Sequence, residues 1–150
     1  MNKKREAREF CFQYFFHLQL PIFKEIKEEL SKSDDESVLR ESVNDFKETT
    51  NTLLEDKLST FVLGQIKSTL LNYEKIEAIL QEHLKNWKLS RISRVDNTVL
   101  LLAANELCFT KENPKNIVIN EAIEISKKYG NADSGSFING VLDNIAKKYE

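Results

Sequence analysis

The side chains best suited to catalysis are scattered along the chain and form no known catalytic pattern. The histidines His17 and His83 and the cysteines Cys11 and Cys108 each stand apart from a second metal-ligating residue at the usual spacing. Phosphate-binding loops of the GxxxxGK[ST] or GxGxxG type are absent, as is the GxSxG nucleophile turn. The sequence therefore predicts no enzyme activity, no metal site and no cofactor.

Two glutamates, Glu121 and Glu124, lie three residues apart on a predicted helix and could form an acid–base pair. Because Glu124 precedes Lys128 by four residues, an ion pair on a solvated helix face is the preferred interpretation. Both cysteines occur among apolar helical residues, so we predict buried, reduced thiols.

The chain begins with a basic cluster, which consists of Lys3, Lys4, Arg5 and Arg8. These residues span just over one helical turn, so they can approach the phosphates of a nucleic acid along one edge. The alternative is a soluble, frayed helix end. Overall, 22 basic and 24 acidic residues give a net charge of −2, so nucleic-acid binding would depend on such a local cluster.

The elements that position these residues are predicted to be long helices. Only four glycines and two prolines occur in 150 residues, and no period-2 alternation of useful length appears. The longest apolar run, Val99–Ala104, is far too short to cross a bilayer. The sequence predicts an all-α protein, a single compact domain of about seven helices over residues 1–150, in the cytoplasm and without a membrane segment.

Several helix boundaries can be predicted from single residues. The apolar spacing predicts a first helix over 3–20, ended by Pro21. Ser33 and Glu36 have the spacing of a capping box that would open a helix in the polar middle of the chain. The segment 92–107 is apolar on nearly all sides, so it is predicted to be the buried central helix.

The last two helices are predicted to meet at a glycine-containing connection. A helix over 117–129 would end at Gly130 in the left-handed conformation, and Asp133 or Ser134 would cap the final helix. Gly140 lies inside that final helix, where it costs about 1 kcal/mol relative to alanine. A close helix crossing could offset this cost.

The most specific pattern is the run INEAIEISKKYG followed by DSGSFINGVLD, which begins at Ile119 and ends at Asp143. Together with the basic first helix and the segment from Trp87 to Asp96, it resembles the NusB family of bacterial transcription antitermination factors, from about Ala7 to Ala146. The resemblance implies two packed helical halves. It also implies binding to the boxA RNA of ribosomal RNA operon leaders together with NusE, a small-subunit ribosomal protein, within an RNA polymerase antitermination complex.

The resemblance also implies which residues make contacts. The RNA-binding set would be Lys3, Lys4, Arg5, Arg8, Tyr129, Ser134 and Phe137. Single-stranded RNA stacks its bases on aromatic rings, and a phosphate can bind at a helix N-terminus. The alternatives are core roles for both aromatic rings and a capping role for Ser134. Glu6 departs from the family's denser arginine cluster. Phe16 and Asp133 match positions of the NusE interface, although Phe16 could equally belong to the core.

Four polar residues interrupt apolar runs near the C-terminus: Asn120, Glu121, Asn139 and Asp143. We predict that they join helix ends through buried hydrogen bonds, and that Trp87 is a core anchor. The alternative function is a homodimeric helical interaction module whose RNA surface is occluded or absent.

Overall fold

The protein is described by a computed structural model that covers residues 3–33, 35–84 and 88–149. Its α-helices are α1 (Lys3–His17), α2 (Leu20–Lys32), α3 (Ser37–Thr49), α4 (Asp56–Leu71), α5 (Tyr73–His83), α6 (Arg94–Asn105), α7 (Lys115–Tyr129) and α8 (Ser134–Lys148). A 3₁₀ turn, Leu89–Arg91, precedes α6, and a π-helical segment, Glu106–Thr110, follows it. No strand occurs among the described residues, which confirms the all-α class. Trp87 lies outside them.

The helices form two compact units, Met1–Leu71 with α1–α4 and Asn72–Glu150 with α5–α8. The predicted number of about seven helices is close to the eight observed in the described residues. Helix α4 ends at Leu71 and α5 begins at Tyr73, with Asn72 between them.

The core of the first unit is built mainly by α1 packing on α4. The buried residues of α1 are Ala7, Arg8, Phe10, Cys11, Phe12, Tyr14 and Phe15, and those of α4 are Val62, Gln65, Ile66, Thr69 and Leu70. The Cys11 thiol lies 3.9 Å from the Val62 carbonyl oxygen, to which it donates. This packing confirms the predicted burial of Cys11.

The predicted end of the first helix is wrong, because Pro21 does not terminate α1 but belongs to the next helix. Helix α1 ends at His17, and Gln19 adopts an extended conformation before α2 begins at Leu20, so Pro21 occupies the first turn of the second helix. Proline fits there because the first backbone N–H groups of a helix have no partner within the helix.

The predicted capping box is also wrong. Ser33 follows the end of α2, where its backbone N–H donates to the Glu29 carbonyl oxygen at 3.2 Å. Helix α3 begins at Ser37, whose N–H donates to the Asp35 carboxylate at 2.9 Å. Asp35 therefore accepts the backbone N–H at the start of α3 in place of the predicted Ser33. An aspartate side chain readily accepts a hydrogen bond from the backbone N–H two residues later in the chain.

In the second unit, α6 is buried on almost all sides, as predicted for the central helix. Its buried residues are Asp96, Thr98, Val99, Leu100, Leu101, Ala103, Ala104 and Asn105. The π-helical segment continues directly from it and is followed by Lys111, whose φ of 52° is left-handed. Within this segment Glu106 is buried, and its carboxylate accepts from the Asn113 amide at 3.5 Å.

Helices α7 and α8 pack against each other and are joined by residues 130–133. Gly130 has φ −96° and ψ −164°, which is extended rather than left-handed, so that prediction is wrong. Asp133 occupies the N-cap position of α8 but makes no side-chain cap, and Ser134 is the first residue of the helix. No atom lies within 4 Å of a Cβ placed on Gly140, so no close crossing explains this glycine.

Candidate nucleic-acid interface

The basic cluster occupies the first two turns of α1. Lys4 is exposed, Arg5 is half-buried, and Arg8 is only 7% exposed. The side chain of Lys3, the first residue of the helix, lies outside the described part of the structure. The structure therefore brings Lys4, Arg5 and Arg8 onto one short helical segment, but it leaves only the first two open to a ligand.

A ring from α4 lies against this cluster. The Lys4 ammonium is 5.0 Å and the Arg8 guanidinium carbon 5.4 Å from the centroid of the Phe61 ring. Both distances lie within the roughly 6 Å at which a cation is attracted to an aromatic face. Sequence reasoning missed Phe61, because only the packing of α1 on α4 brings it to residues more than fifty positions earlier.

Hydrogen bonds internal to the chain organise the connection between α7 and α8. The Gly130 N–H donates to the Ser126 carbonyl oxygen at 2.8 Å and ends α7. The Asn131 N–H donates to the Ser134 hydroxyl oxygen at 3.1 Å, and the Asp133 N–H donates to the Asn131 side chain at 2.9 Å. Because Ser134 is 1% exposed, its hydroxyl stabilises this loop, and its contact with a phosphate stays a prediction.

The two aromatic residues that flank the connection are half-buried. Tyr129 is the last residue of α7, and the Lys128 ammonium lies 5.4 Å from its ring centroid. Phe137 lies in the first turn of α8, and its N–H donates to the Asp133 carbonyl oxygen at 3.2 Å. Part of each ring is packed against the protein, and the rest of its surface is open to solvent. Tyr129, Asp133, Ser134 and Phe137 are thus brought together in the second unit.

The prediction of buried hydrogen bonds is wrong for three of the four polar residues near the C-terminus. Asn120, Asn139 and Asp143 are exposed, and Asp143 pairs with Lys147 at 3.2 Å. Glu121 is buried, at 4% exposure. The physical reason is that these three residues lie on the solvent-exposed faces of α7 and α8, where water can hydrogen-bond to polar side chains. Asn120 and Asn139 line an open groove of about 680 Å³ beside the connection.

The two residues predicted to contact a protein partner are both accessible. Phe16 is half-buried and stacks on Phe12, with ring centroids 5.7 Å apart. Close to it in sequence, Leu20 is 61% and Ile22 is 39% exposed, so two large apolar side chains at the start of α2 are open to solvent. Asp133 is exposed in the α7–α8 connection.

The residues suited to catalysis form no site in the described part of the chain. No group of three metal-ligating side chains occurs there. The His83 Nδ1 atom bonds to the Ile79 carbonyl at 2.8 Å. Burial raises the pKa of the half-buried Cys108 thiol to about 11, so it is not an activated nucleophile. Glu124 pairs with Lys127 at 3.5 Å on the solvated face of α7. Within the same residues, no helix is long and apolar enough to cross a membrane.

The fold and these surfaces define an all-helical protein of two compact units, with accessible basic side chains in one and half-buried aromatic rings in the other. A profile of the NusB family matches residues 5–147, and the chain belongs to this family. Transcription antitermination protein NusB of Bacillus mycoides (strain KBAB4) is 40% identical over 143 residues, which cover 95% of this chain and 96% of the relative.

Solved structures agree with this assignment. The structure of T. maritima NusB matches with a TM-score of 0.74 and 32% identity, covering 97% of this chain and 92% of that one. A chain from the crystal structure of the antitermination factors NusB and NusE in complex with double-stranded RNA matches with a TM-score of 0.74. It covers 99% of both chains at 23% identity, a likeness that shows the fold.

Proposed function

We propose that this chain is a bacterial transcription antitermination factor that binds boxA RNA together with NusE. As part of an RNA polymerase complex in the cytoplasm, it promotes processive transcription of ribosomal RNA operons. The observation that carries the proposal is the family match over residues 5–147, with curated relatives named for antitermination. The proposal includes no catalytic step.

In this proposal the RNA is held at two places. Lys4 and Arg5 contact phosphates from the first turns of α1, where Lys3 and Arg8 add to the positive potential. A helix N-terminus favours a bound phosphate further, because its free N–H groups point outwards. Tyr129 and Phe137 offer rings to unpaired bases, with Ser134 holding the loop between them. Phe16 and Asp133 contact NusE.

The proposal is tested by titrating fluorescent boxA RNA and a scrambled RNA of equal length, with and without NusE, at two salt concentrations. Tighter binding to boxA, strengthened by NusE, is the expected result. Contact of Lys4 and Arg5 with two phosphates contributes roughly −1.4 to the log–log salt slope for single-stranded RNA. Equal, weak binding to both RNAs that NusE does not change would refute the proposal.

The basic edge of α1, which consists of Lys4, Arg5 and Arg8, is tested with a double charge reversal, Lys4→Glu with Arg5→Glu. Arg8 is left intact, because reversing a buried charge would unfold the unit. The variant should bind boxA much more weakly, and its salt slope should fall in magnitude by about 1.4, for two lost phosphates. Lys24→Glu with Lys32→Glu, two exposed lysines of α2, is the matched control for net charge. If both pairs weaken binding equally, the basic edge is not a specific site.

The aromatic contact is tested with Phe137→Ala. Loss of one stacked base should weaken boxA binding by about 1–3 kcal/mol while helicity is retained. Phe109→Ala truncates another half-buried ring of the second unit and should leave RNA affinity unchanged. Equal loss in both variants would mean that Phe137 acts through packing.

Gel filtration distinguishes the homodimeric alternative. The exposed Leu20 and Ile22, which are close to Phe16 in sequence, fit an apolar protein contact, which NusE provides in the proposal. A stable dimer that binds RNA only after NusE is added would instead mean that self-association occludes the RNA surface.

A further inference from the structure

Helix α1 begins in a way that is electrostatically unfavourable. Lys4 and Arg5 lie in its first turn, where the helix dipole already places positive partial charge, and Glu6 is the only acid there. Lys4 and Arg8 also lie four residues apart, a spacing that brings like charges together on one helix face. A contact that offsets this repulsion would stabilise the first turns of α1.

Phe61 makes that contact. One ring of α4 faces both cations, with the Lys4 ammonium at 5.0 Å and the Arg8 guanidinium carbon at 5.4 Å from its centroid. The negative face of the ring offsets the repulsion between the two charges, most effectively for Arg8, which is almost fully buried. A leucine in place of Phe61 would pack against the same side chains but would lack this electrostatic attraction.

We propose that Phe61 is a positioning residue for RNA binding, which holds Lys4 and Arg8 against α4 so that the basic edge of α1 is formed before RNA arrives. This inference rests on the proposed function, since RNA is the ligand that the edge would meet. Ordering a long, flexible side chain during binding costs affinity, and cations that are already ordered avoid much of that cost. Lys4 is exposed, so its ammonium stays accessible to phosphate oxygens, whereas the buried Arg8 contributes positive potential.

The test compares Phe61→Leu, which removes the aromatic face, with Phe61→Tyr, which retains it. Phe23→Leu is the matched control, because Phe23 has its own cation contact, with Lys27 at 5.5 Å on α2. We expect Phe61→Leu to weaken boxA binding by about fivefold, Phe61→Tyr to restore it, and Phe23→Leu to have no effect. Phe61→Met replaces the leucine variant if that one does not fold.

A second measurement needs no RNA. Backbone ¹⁵N relaxation of residues 4–8 should show faster local motion in Phe61→Leu than in the wild type and in Phe61→Tyr. Unchanged motion would overturn the positioning role, whatever the RNA result. Faster motion with unchanged boxA affinity would overturn its relevance to RNA. A wild-type protein that binds no boxA RNA would refute the proposed function and, with it, the RNA part of this inference.

Discussion

Replacing Gly130 with alanine should destabilise the protein for reasons of space alone. A Cβ at this position would lie 2.5 Å from the Ser134 hydroxyl oxygen, 2.7 Å from the Ser126 carbonyl oxygen and 2.9 Å from the Ser134 Cβ. The backbone at Gly130 has φ −96°, which any residue can adopt, so no strain arises from the dihedral angles.

The size of the destabilisation depends on whether these three atoms can move away from the added Cβ. The Ser126 carbonyl is fixed in α7 and accepts the Gly130 N–H at 2.8 Å, so it cannot withdraw without losing that bond. Ser134 is 1% exposed and accepts from the Asn131 N–H, so its side chain has little room to rotate. Overpacking of this kind costs about 1–3 kcal/mol, and a weakened hydrogen bond adds about 1 kcal/mol. We expect Gly130→Ala to lose about 2–4 kcal/mol.

Two other glycines of the chain serve as controls for the Gly130→Ala variant. Gly64 and Gly140 lie inside α4 and α8, and a Cβ on either meets no atom within 4 Å. Alanine at either position should stabilise the protein by about 0.5–1 kcal/mol, because it favours the helix and restricts the unfolded chain.

Urea unfolding followed by circular dichroism measures both effects as shifts of the midpoint at constant slope. The midpoint should fall for Gly130→Ala and rise for Gly64→Ala and Gly140→Ala. A Gly130→Ala protein as stable as the wild type would refute the argument, because it would mean that the α7–α8 connection can relax around an added methyl group.

Two further predictions concern titrating groups. The hydrogen bond from Lys67 lowers the pKa of Glu36 below its ordinary 4.5, with Arg40 contributing, so this stabilisation is present above pH 4.5 and disappears as the pH falls through the lowered value. Glu36→Gln should therefore be less stable than the wild type by about 0.5–1 kcal/mol at pH 7, and the difference should vanish near pH 3 in acid-titration melts. The Cys108 thiol is half-buried rather than buried as predicted, but its pKa is raised to about 11. It and the buried Cys11 should react with a disulfide reagent at pH 8 far more slowly than in urea, and rapid native labelling would contradict the raised pKa of Cys108 or the burial of Cys11.

The helical architecture could be predicted from the sequence because it depends on local spacing. The all-round apolar pattern of α6 predicted its burial, and the cysteine in α1 was correctly assigned to the core. The prediction of helix boundaries failed where one residue type can occur both at the end of a helix and at its start. Pro21 can end one helix or begin the next, and only the extended Gln19 before it decides between these.

The candidate site was harder to predict, because tertiary contacts decide which side chains remain open. Arg8 has the same charge as Lys4, yet the packing of α1 on α4 buries it against Phe61. Asn120 and Asn139 interrupt apolar runs in the manner of buried polar residues, but they lie beside an open groove. Their exposure depends on which faces of α7 and α8 pack together, and the local sequence around each residue does not determine this.

The division of the chain at Leu71 implies an order of assembly during synthesis. Each unit is built from one uninterrupted stretch, so every residue of the first core has been made once Leu71 has left the ribosome. Helical units with local contacts fold in microseconds to milliseconds, whereas translation adds about 5–20 residues per second. The first unit thus has seconds to form its core, including the contacts of Phe61 with Lys4 and Arg8, while the second unit is still being translated.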